Sequence, residues 1–339
     1  MKLKDNIVRP LGAGLAMTIP IILSLLLKDM QIATLGVMGA FSYLHFQYHS
    51  IAYNIKAIFL HGGLLVISLF FGMVSSIHPW SIPFIICLIT FLGKIITGIY
   101  RIPKPNDFFI MMLYATGTNF NIASINQALF QSHYLLYGLM GSIISGVLIS
   151  LIERLPYKLV EDTTTSKLSF TQKYQQMVKS DPYILIKSLH FSLIIFIAAY
   201  VSILFKETNG YWILVSSAAI LSGGQTDKIK QRSFQRIIGS IIGLLIGLIL
   251  LSFNLPTGII LIILVILNIL IEVFMPINYT IANFFTNPQV ILLATLATPI
   301  VKLSIISERF IGIIIGTAIA YFFILLIEYA MNLIVDDHN

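Results

Sequence analysis

Apolar runs of helical length follow one another along the chain, at about Ile7 to Leu27, Ile32 to Phe46, Ile55 to Val74, Ile82 to Ile99, Phe108 to Phe120 and Tyr134 to Ile152. A polar stretch, Glu153 to Pro182, interrupts them. They resume at about Tyr183 to Phe205, Tyr211 to Leu221, Ile237 to Phe253, Ile259 to Phe274, Pro288 to Val301 and Phe310 to Val335. In hydrocarbon a backbone must satisfy its own hydrogen bonds, and these runs lack the short alternation of outer-membrane strands, so the pattern predicts helices. The expectation is an all-α membrane protein with about twelve transmembrane helices. The second and fifth segments of each half fall short of the ~20 residues that a simple span needs, which suits tilted, broken or re-entrant helices.

Composition agrees. With 57% hydrophobic and only 10% charged residues, and a mean hydropathy of +0.92, the chain reads as a polytopic membrane protein and not as a soluble domain. The cations set its orientation. With the N-terminus inside, Lys2, Lys4, Arg9, Lys56, Arg101, Lys104, Arg154, Lys158, Lys167, Lys173, Lys179, Lys187, Lys228, Lys230, Arg232 and Arg236 fall on the cytoplasmic side, against Lys28, Lys206, Lys302 and Arg309 outside. Both termini are therefore expected to be cytoplasmic, in a multi-pass protein of the cell membrane. The same asymmetry accounts for most of the formal charge of +7, and no nucleic-acid partner is expected. The first segment runs into Lys28 and Asp29 with no small-residue cleavage pattern, so it reads as a retained helix.

Catalytic chemistry is hard to find. Cys87 is the only cysteine and no Cys/His group has metal-ligand spacing, so no disulfide, metal or cofactor is expected. His45, His49 and His61 lie close in sequence and read as interfacial or packing groups before they read as ligands or a proton relay. There is no nucleophile–base pair, so the chain reads as a non-enzyme with no catalytic residues.

Shifting the chain by about 177 residues lays Arg9 near Lys187, "IATLGVMGAF" on "YWILVSSAAI", Gly62 on Gly239, Phe108 near Phe284, and Glu153 near Glu328. The organisation expected is two tandem six-helix repeats, 1–153 and 183–339, joined by a cytoplasmic linker, 154–182. Six helices is an even number, so both copies keep one orientation and the relation expected is a pseudo-two-fold along the membrane normal.

Several residues carry candidate chemistry. "QRSFQRIIGSIIGLLIG" opens on Arg232 and Arg236, one turn apart on one helix face, with Lys228 a turn earlier. They could attract an organic anion or lipid headgroups, or simply anchor a helix end. Gly239, Gly243 and Gly247 make a smooth ridge for close helix packing. Asn283, Thr286, Asn287, Gln289, Thr295 and Thr298 give the eleventh segment a polar character suited to the bundle interior, with Tyr114, Thr116, Thr118 and Asn119 in the first-half counterpart. Pro20, Pro288 and Pro299 could break helices or be tolerated within them. Lys94 and Glu272 are charges within apolar segments, nearly superposed by the repeat shift, with Thr90 and Asn268 four residues earlier. They could form an ion pair that protonation of Glu272 breaks, or both could snorkel to the interface.

Tyr211–Trp212, "QRSFQRIIGSIIG", "NYTIANFFTNPQVILL" (Asn278 to Leu293) and "ERFIGIIIG" (Glu308 to Gly316) resemble the FUSC family, which includes fusaric acid resistance proteins and aromatic acid exporters. The first half, with Phe59 where the second has Arg236, is a degenerate copy. The resemblance implies a transporter exporting small aromatic or amphipathic organic acids. With no nucleotide-binding loop in the chain, an ion gradient, most simply protons, would drive it. A passive organic-anion channel, as in the plant aluminium-activated malate transporters that the chain also resembles, is the second reading. A non-transporting envelope or lipid-interacting protein is the third. On the transport reading Arg232, Arg236, Lys94, Asn268, Glu272, Asn283, Thr286 and Gln289 are the pathway candidates. The partners expected are small organic anions and membrane lipids, with a homo-oligomer left open.

Overall fold

The computed structural model describes residues 5–157, 168–224, 226–297 and 304–336. Expectations resting on Lys2, Lys4, Lys158, Lys167, Thr298, Pro299 and Lys302 lie outside the described residues. Within them the protein is all-helical. The helices are α1 (Asp5–Leu27), α2 (Met30–Gly39), α3 (Ile51–Ile77), α4 (Ile82–Ile99), α5 (Phe108–Thr118), α6 (Ile125–Ser132) and α7 (Leu135–Ile152). They continue as α8 (Phe170–Ser180), α9 (Ile184–Leu204), α10 (Tyr211–Leu221), α11 (Thr226–Ser252), α12 (Thr257–Phe274), α13 (Tyr279–Ala297) and α14 (Ser304–Asp336). A 3-10 turn, Ala40–His45, follows α2.

Eight spans among the described residues are long and apolar enough to cross a membrane, where about twelve were expected. The shortfall falls on the segments already marked as short. α2 has 10 residues and α5 and α10 have 11 each, or about 15 Å of rise against a hydrocarbon core of about 30 Å. α13 has 19 residues but carries the polar side chains noted above. Its asparagines and threonine turn back on their own helix: Asn283 donates to Tyr279 O at 2.7 Å, Thr286 to Ala282 O at 2.9 Å and Asn287 to Asn283 O at 2.9 Å. Pro20 and Pro288 sit inside continuous helices, α1 and α13, and break neither. Polar caps set some of the helix starts. Asp29 accepts from Gln31 N at 2.9 Å to open α2, and Ser169 with Gln172 forms a capping box on α8.

The packing forms two compact units, and each draws on both halves of the sequence. Of the described residues, the first takes in 5–71, 122–157, 239–297 and 304–306, the second 72–121, 168–224, 226–238 and 307–336, so that α3, α11 and the first residues of α14 make three helices that contribute to both. In the first unit α1 packs on α7 and α12, and α2 on α13. In the second α4 packs on α9, and α5 on α10.

The glycine ridge of α11 lies against α13 in the first unit. A Cβ added at Gly239 would sit 2.6 Å from Thr280 O, one at Gly243 would collide with Asn283 O, and one at Gly247 would meet Ile291. Backbone atoms cannot swing aside as a side-chain tip can. Gly243→Leu should therefore push α13 away and destabilise the protein by about 1–3 kcal/mol or more, read as a lower Tm in detergent. An unchanged Tm would place the ridge against open space.

Candidate functional site

The second unit is organised around α10, whose residues from Trp212 to Leu221 are all buried. α14 approaches it through two glycines: a Cβ at Gly312 would lie 2.5 Å from Trp212 Cβ, and one at Gly316 would collide with Ile213 O. Ser217 locks the contact by donating to Gly316 O at 2.8 Å. One turn before Gly312, this register lays Arg309 over the Trp212 ring, with the guanidinium carbon 3.9 Å from the ring centroid. A desolvated cation–π contact of this kind contributes about 2 kcal/mol. Arg236 of α11 comes to the same place from the other side and donates from Nη2 to Ser216 Oγ at 3.3 Å.

Two guanidiniums thus share one low-dielectric pocket of the fold. Arg236 is 6% and Arg309 3% exposed, and each lies in the other's field. The Trp212 indole N–H, also buried, has no hydrogen-bond acceptor among the described residues. The carboxylate next in sequence, Glu308, is engaged by the Asn209 amide, which in turn accepts from Asn119 Nδ2 at 3.1 Å. Donors beside an aromatic ring suit an organic anion. A shallow crevice beside the Tyr211 end of α10 is lined by Thr118, Asn119, Ser202, Lys206 and Tyr211 among others.

At the other end of α10 the carbonyls of Ala218, Ile220 and Leu221 accept from the amides of Ser222, Gly223 and Gly224 and that of Ala219 from the Ser222 hydroxyl, and cations gather beside them. Arg232 Nη1 donates to Ser222 Oγ at 2.6 Å and to Ala219 O at 3.4 Å, and Lys104 Nζ donates to Gly223 O at 2.8 Å. Arg232, read from the sequence as either an anion attractor or a helix anchor, here caps a neighbouring helix. Lys104 is exposed along its stem, yet its ammonium is held down to a pKa of about 8 by burial and, after that, by repulsion from Arg232, Lys228 and Lys94.

Lys94 and Glu272, paired in one reading of the sequence, fall in different units, and Lys94 has Asp107 as its partner, at 3.2 Å, with side-chain exposures of 12% and 2%. Asp107 stands immediately before α5, only 13 residues along the chain, so a local partner reaches Lys94 where a distant one would have to be brought. Glu272 lies in the first unit, in the field of Arg9. The other candidates also sit in the first unit, and they bond mainly to one another and to backbone: Asn268 Nδ2 to Ala13 O at 3.1 Å, and Gln289 Nε2 to Asn268 Oδ1 at 3.3 Å. Asn268, Glu272, Asn283, Thr286 and Gln289 are therefore not gathered with Arg236 in one unit.

Sequence reasoning passed over Arg309, counting it only among the outward cations. The signal was present: Arg236-Ile-Ile-Gly239-Ser-Ile-Ile-Gly243 and Arg309-Phe-Ile-Gly312-Ile-Ile-Ile-Gly316 share one pattern, an arginine one turn before a close-packing ridge.

Fold and site together define a multi-pass helical membrane protein with a buried cationic cluster. Residues 193–327 match the profile of the fusaric acid resistance protein-like family, a stretch that takes in Trp212, both α11 arginines and Arg309. The resemblance to the FUSC family holds over that stretch. No curated protein and no solved structure matches the chain.

The folded value of Lys104 lies below its free value of 10.5, so between about 8 and 10.5 the unfolded chain binds the extra proton and stability rises with pH. Lys104→Met should flatten that part of the Tm–pH curve relative to the parent protein. An unchanged slope would mean that its ammonium is not held in this field.

Proposed function

We propose that the protein exports small aromatic or amphipathic organic acids across the plasma membrane, driven by an ion gradient, most simply of protons, with both termini in the cytoplasm. The observation that carries this reading is the buried set of Arg236, Arg309 and Trp212: two guanidiniums and an indole N–H gathered beside an aromatic ring, a donor-rich surrounding that suits a carboxylate. Lys228 and Arg232 extend the positive charge along α11 by two further turns, about 12 Å of rise, and would draw anions toward it. The family match over the same residues supports transport or resistance as the class of activity.

In this reading the chain is two tandem six-helix repeats, 1–153 and 183–339, joined by 154–182. Helix lengths favour it at three of the equivalent positions: α3 and α11 have 27 residues each, α4 and α12 have 18 each, and α2 and α10 have 10 and 11, while α5 and α13 differ at 11 and 19. Packing favours it too. The first helix of one half meets the fourth of the other in both units, as α1 on α12 and α9 on α4. The second likewise meets the fifth, as α2 on α13 and α10 on α5. An exchange of this kind, made twice with the roles of the halves reversed, is what two related copies produce.

Uptake of an aromatic acid such as benzoate into inside-out vesicles tests the function. Accumulation that depends on a pH gradient is expected, and Arg236→Gln and Arg309→Gln should each raise KM for the acid by roughly tenfold or more, while handling of the uncharged amide barely moves. Flux that only dissipates the substrate gradient would make the protein a channel. No flux of any acid would remove transport altogether.

A further inference from the structure

The first unit holds a second polar cluster, around Arg9 of α1. Arg9 Nη2 donates to Leu44 O at 2.8 Å, which fastens α1 to the 3-10 turn. The next residue, His45, stacks on His61 of α3, with ring centroids 3.5 Å apart and planes 26° from parallel. Tyr43 of the same turn is wholly buried, its hydroxyl lodged where a side chain on Gly12 would stand. Glu272 of α12 and Tyr48 of the following loop act on the same group electrostatically.

These groups are poorly satisfied. Arg9 Nε, Tyr43 Oη, His45 Nδ1 and His61 Nε2 are buried with no hydrogen-bond partner among the described residues. Arg9 and Glu272 are within each other's field but do not reach ion-pair distance. Each such orphan costs about 1–3 kcal/mol, so four of them together is a heavy penalty for a packing cluster. The same unit elsewhere satisfies its buried polar groups: Ser145 donates to Gly12 O at 2.6 Å and Ser142 to Ala40 O at 3.1 Å. Other titratable groups border these elements: Tyr53 and Lys56 on α3, His49 in the loop before it, and Glu153 and Arg154 directly after α7. α2 has none, the one on α7, Tyr137, lies with His133 and Tyr134 at the opposite end of that helix, and α13 offers Tyr279 at its first position.

The other unit supplies a comparison. By the repeat shift Arg9 corresponds to Lys187 and Glu272 to Lys94, and there both cations have carboxylate partners: Lys187 with Asp181 at 2.8 Å and Lys94 with Asp107 at 3.2 Å. Among the described residues the cations of the second unit thus stand at ion-pair distance from carboxylates, and Arg9 and Glu272 do not.

We propose that Glu272, Arg9 and the stacked His45–His61 pair form the proton-binding site that couples export to the ion gradient. A proton from water adds to the Glu272 carboxylate or to a ring nitrogen lone pair and later returns to water, with no other bond made or broken. Two imidazolium rings 3.5 Å apart beside a guanidinium would repel strongly, so the stacked pair holds at most one proton. Ionised Glu272 is drawn toward Arg9 and protonated Glu272 releases it, which gives the site two arrangements for transport to alternate between. This inference rests on the ion-driven reading of the function.

The test counts protons on the purified protein, so it does not depend on transport. Between pH 8 and about 4.5, Glu272→Gln and His61→Gln should each take up about one proton fewer per chain than the parent, and the double variant should lose less than the sum, because the two share a proton. Equal uptake by parent and variants would overturn the site. If the variants do not fold, 15N-histidine spectra of the parent decide: a buried coupled pair changing protonation in that range is expected, and buried rings neutral throughout would overturn it. In vesicles the ratio of gradient-driven accumulation to exchange at equal pH should fall about tenfold in each folded variant. An unchanged ratio would leave a proton-binding cluster with no part in coupling, whereas absence of transport in the parent would overturn the proposed function instead.

Discussion

The second unit depends on the ends of one short buried helix. α10 is too short to cross a membrane and is buried from Trp212 to Leu221, so its final carbonyls stop inside the protein where water cannot serve them. A helix end in that position has to recruit donors: the amides of Ser222, Gly223 and Gly224 and the Ser222 hydroxyl serve the last four carbonyls, and the cations Arg232 and Lys104 add donors at Ala219, Ser222 and Gly223. Close packing by the glycines of α14 adds another cation, setting Arg309 on the Trp212 face. The positive character of the site is therefore a consequence of how the short helix is held. Of the two readings of Arg232 in the sequence, its bonds to Ser222 and Ala219 show the structural anchoring.

Much of the helix pattern was legible because apolar and polar stretches contrast sharply. α4 and α10 begin and end where the hydropathy does, at Ile82 and Ile99 and at Tyr211 and Leu221. Boundaries were missed where a helix runs on through polar residues. α11 starts at Thr226, about three turns before the apolar run, because the turns carrying Lys228, Arg232 and Arg236 continue the same helix. α13 starts at Tyr279 and not near Pro288, because its asparagines and threonine spend their hydrogen bonds on carbonyls one turn back and cost the helix little.

The site was legible only in part. Arg236 announced itself by standing beside the glycine ridge, and Arg309 by repeating that pattern, yet nothing local says that Trp212 and Ser216 are where both converge. That information lies in the packing of α11 and α14 on α10. The partner of Lys94 was hidden for a different reason: Asp107 precedes a short helix in what reads as a loop, and loop geometry is not carried by hydropathy.

Internal repeats let a chain assign different work to equivalent places. If the halves arose as copies, each cation–carboxylate position began with the same options, and selection for stability alone would tend to satisfy both. The second unit pairs Lys94 and Lys187 locally with Asp107 and Asp181 while leaving atoms such as Asp107 Oδ2 and Trp212 Nε1 without a partner. The first unit leaves Arg9 and Glu272 apart and surrounds them with unpartnered tyrosine and histidine atoms. Conversely, the unit with settled ion pairs holds the two buried arginines, and the unit with open titratable groups has Phe59 near the position of Arg236. On the proposed function this division has a use, because exchange of an organic anion against a proton calls for a cationic set and an acid–base set, and the proposal assigns one to each unit.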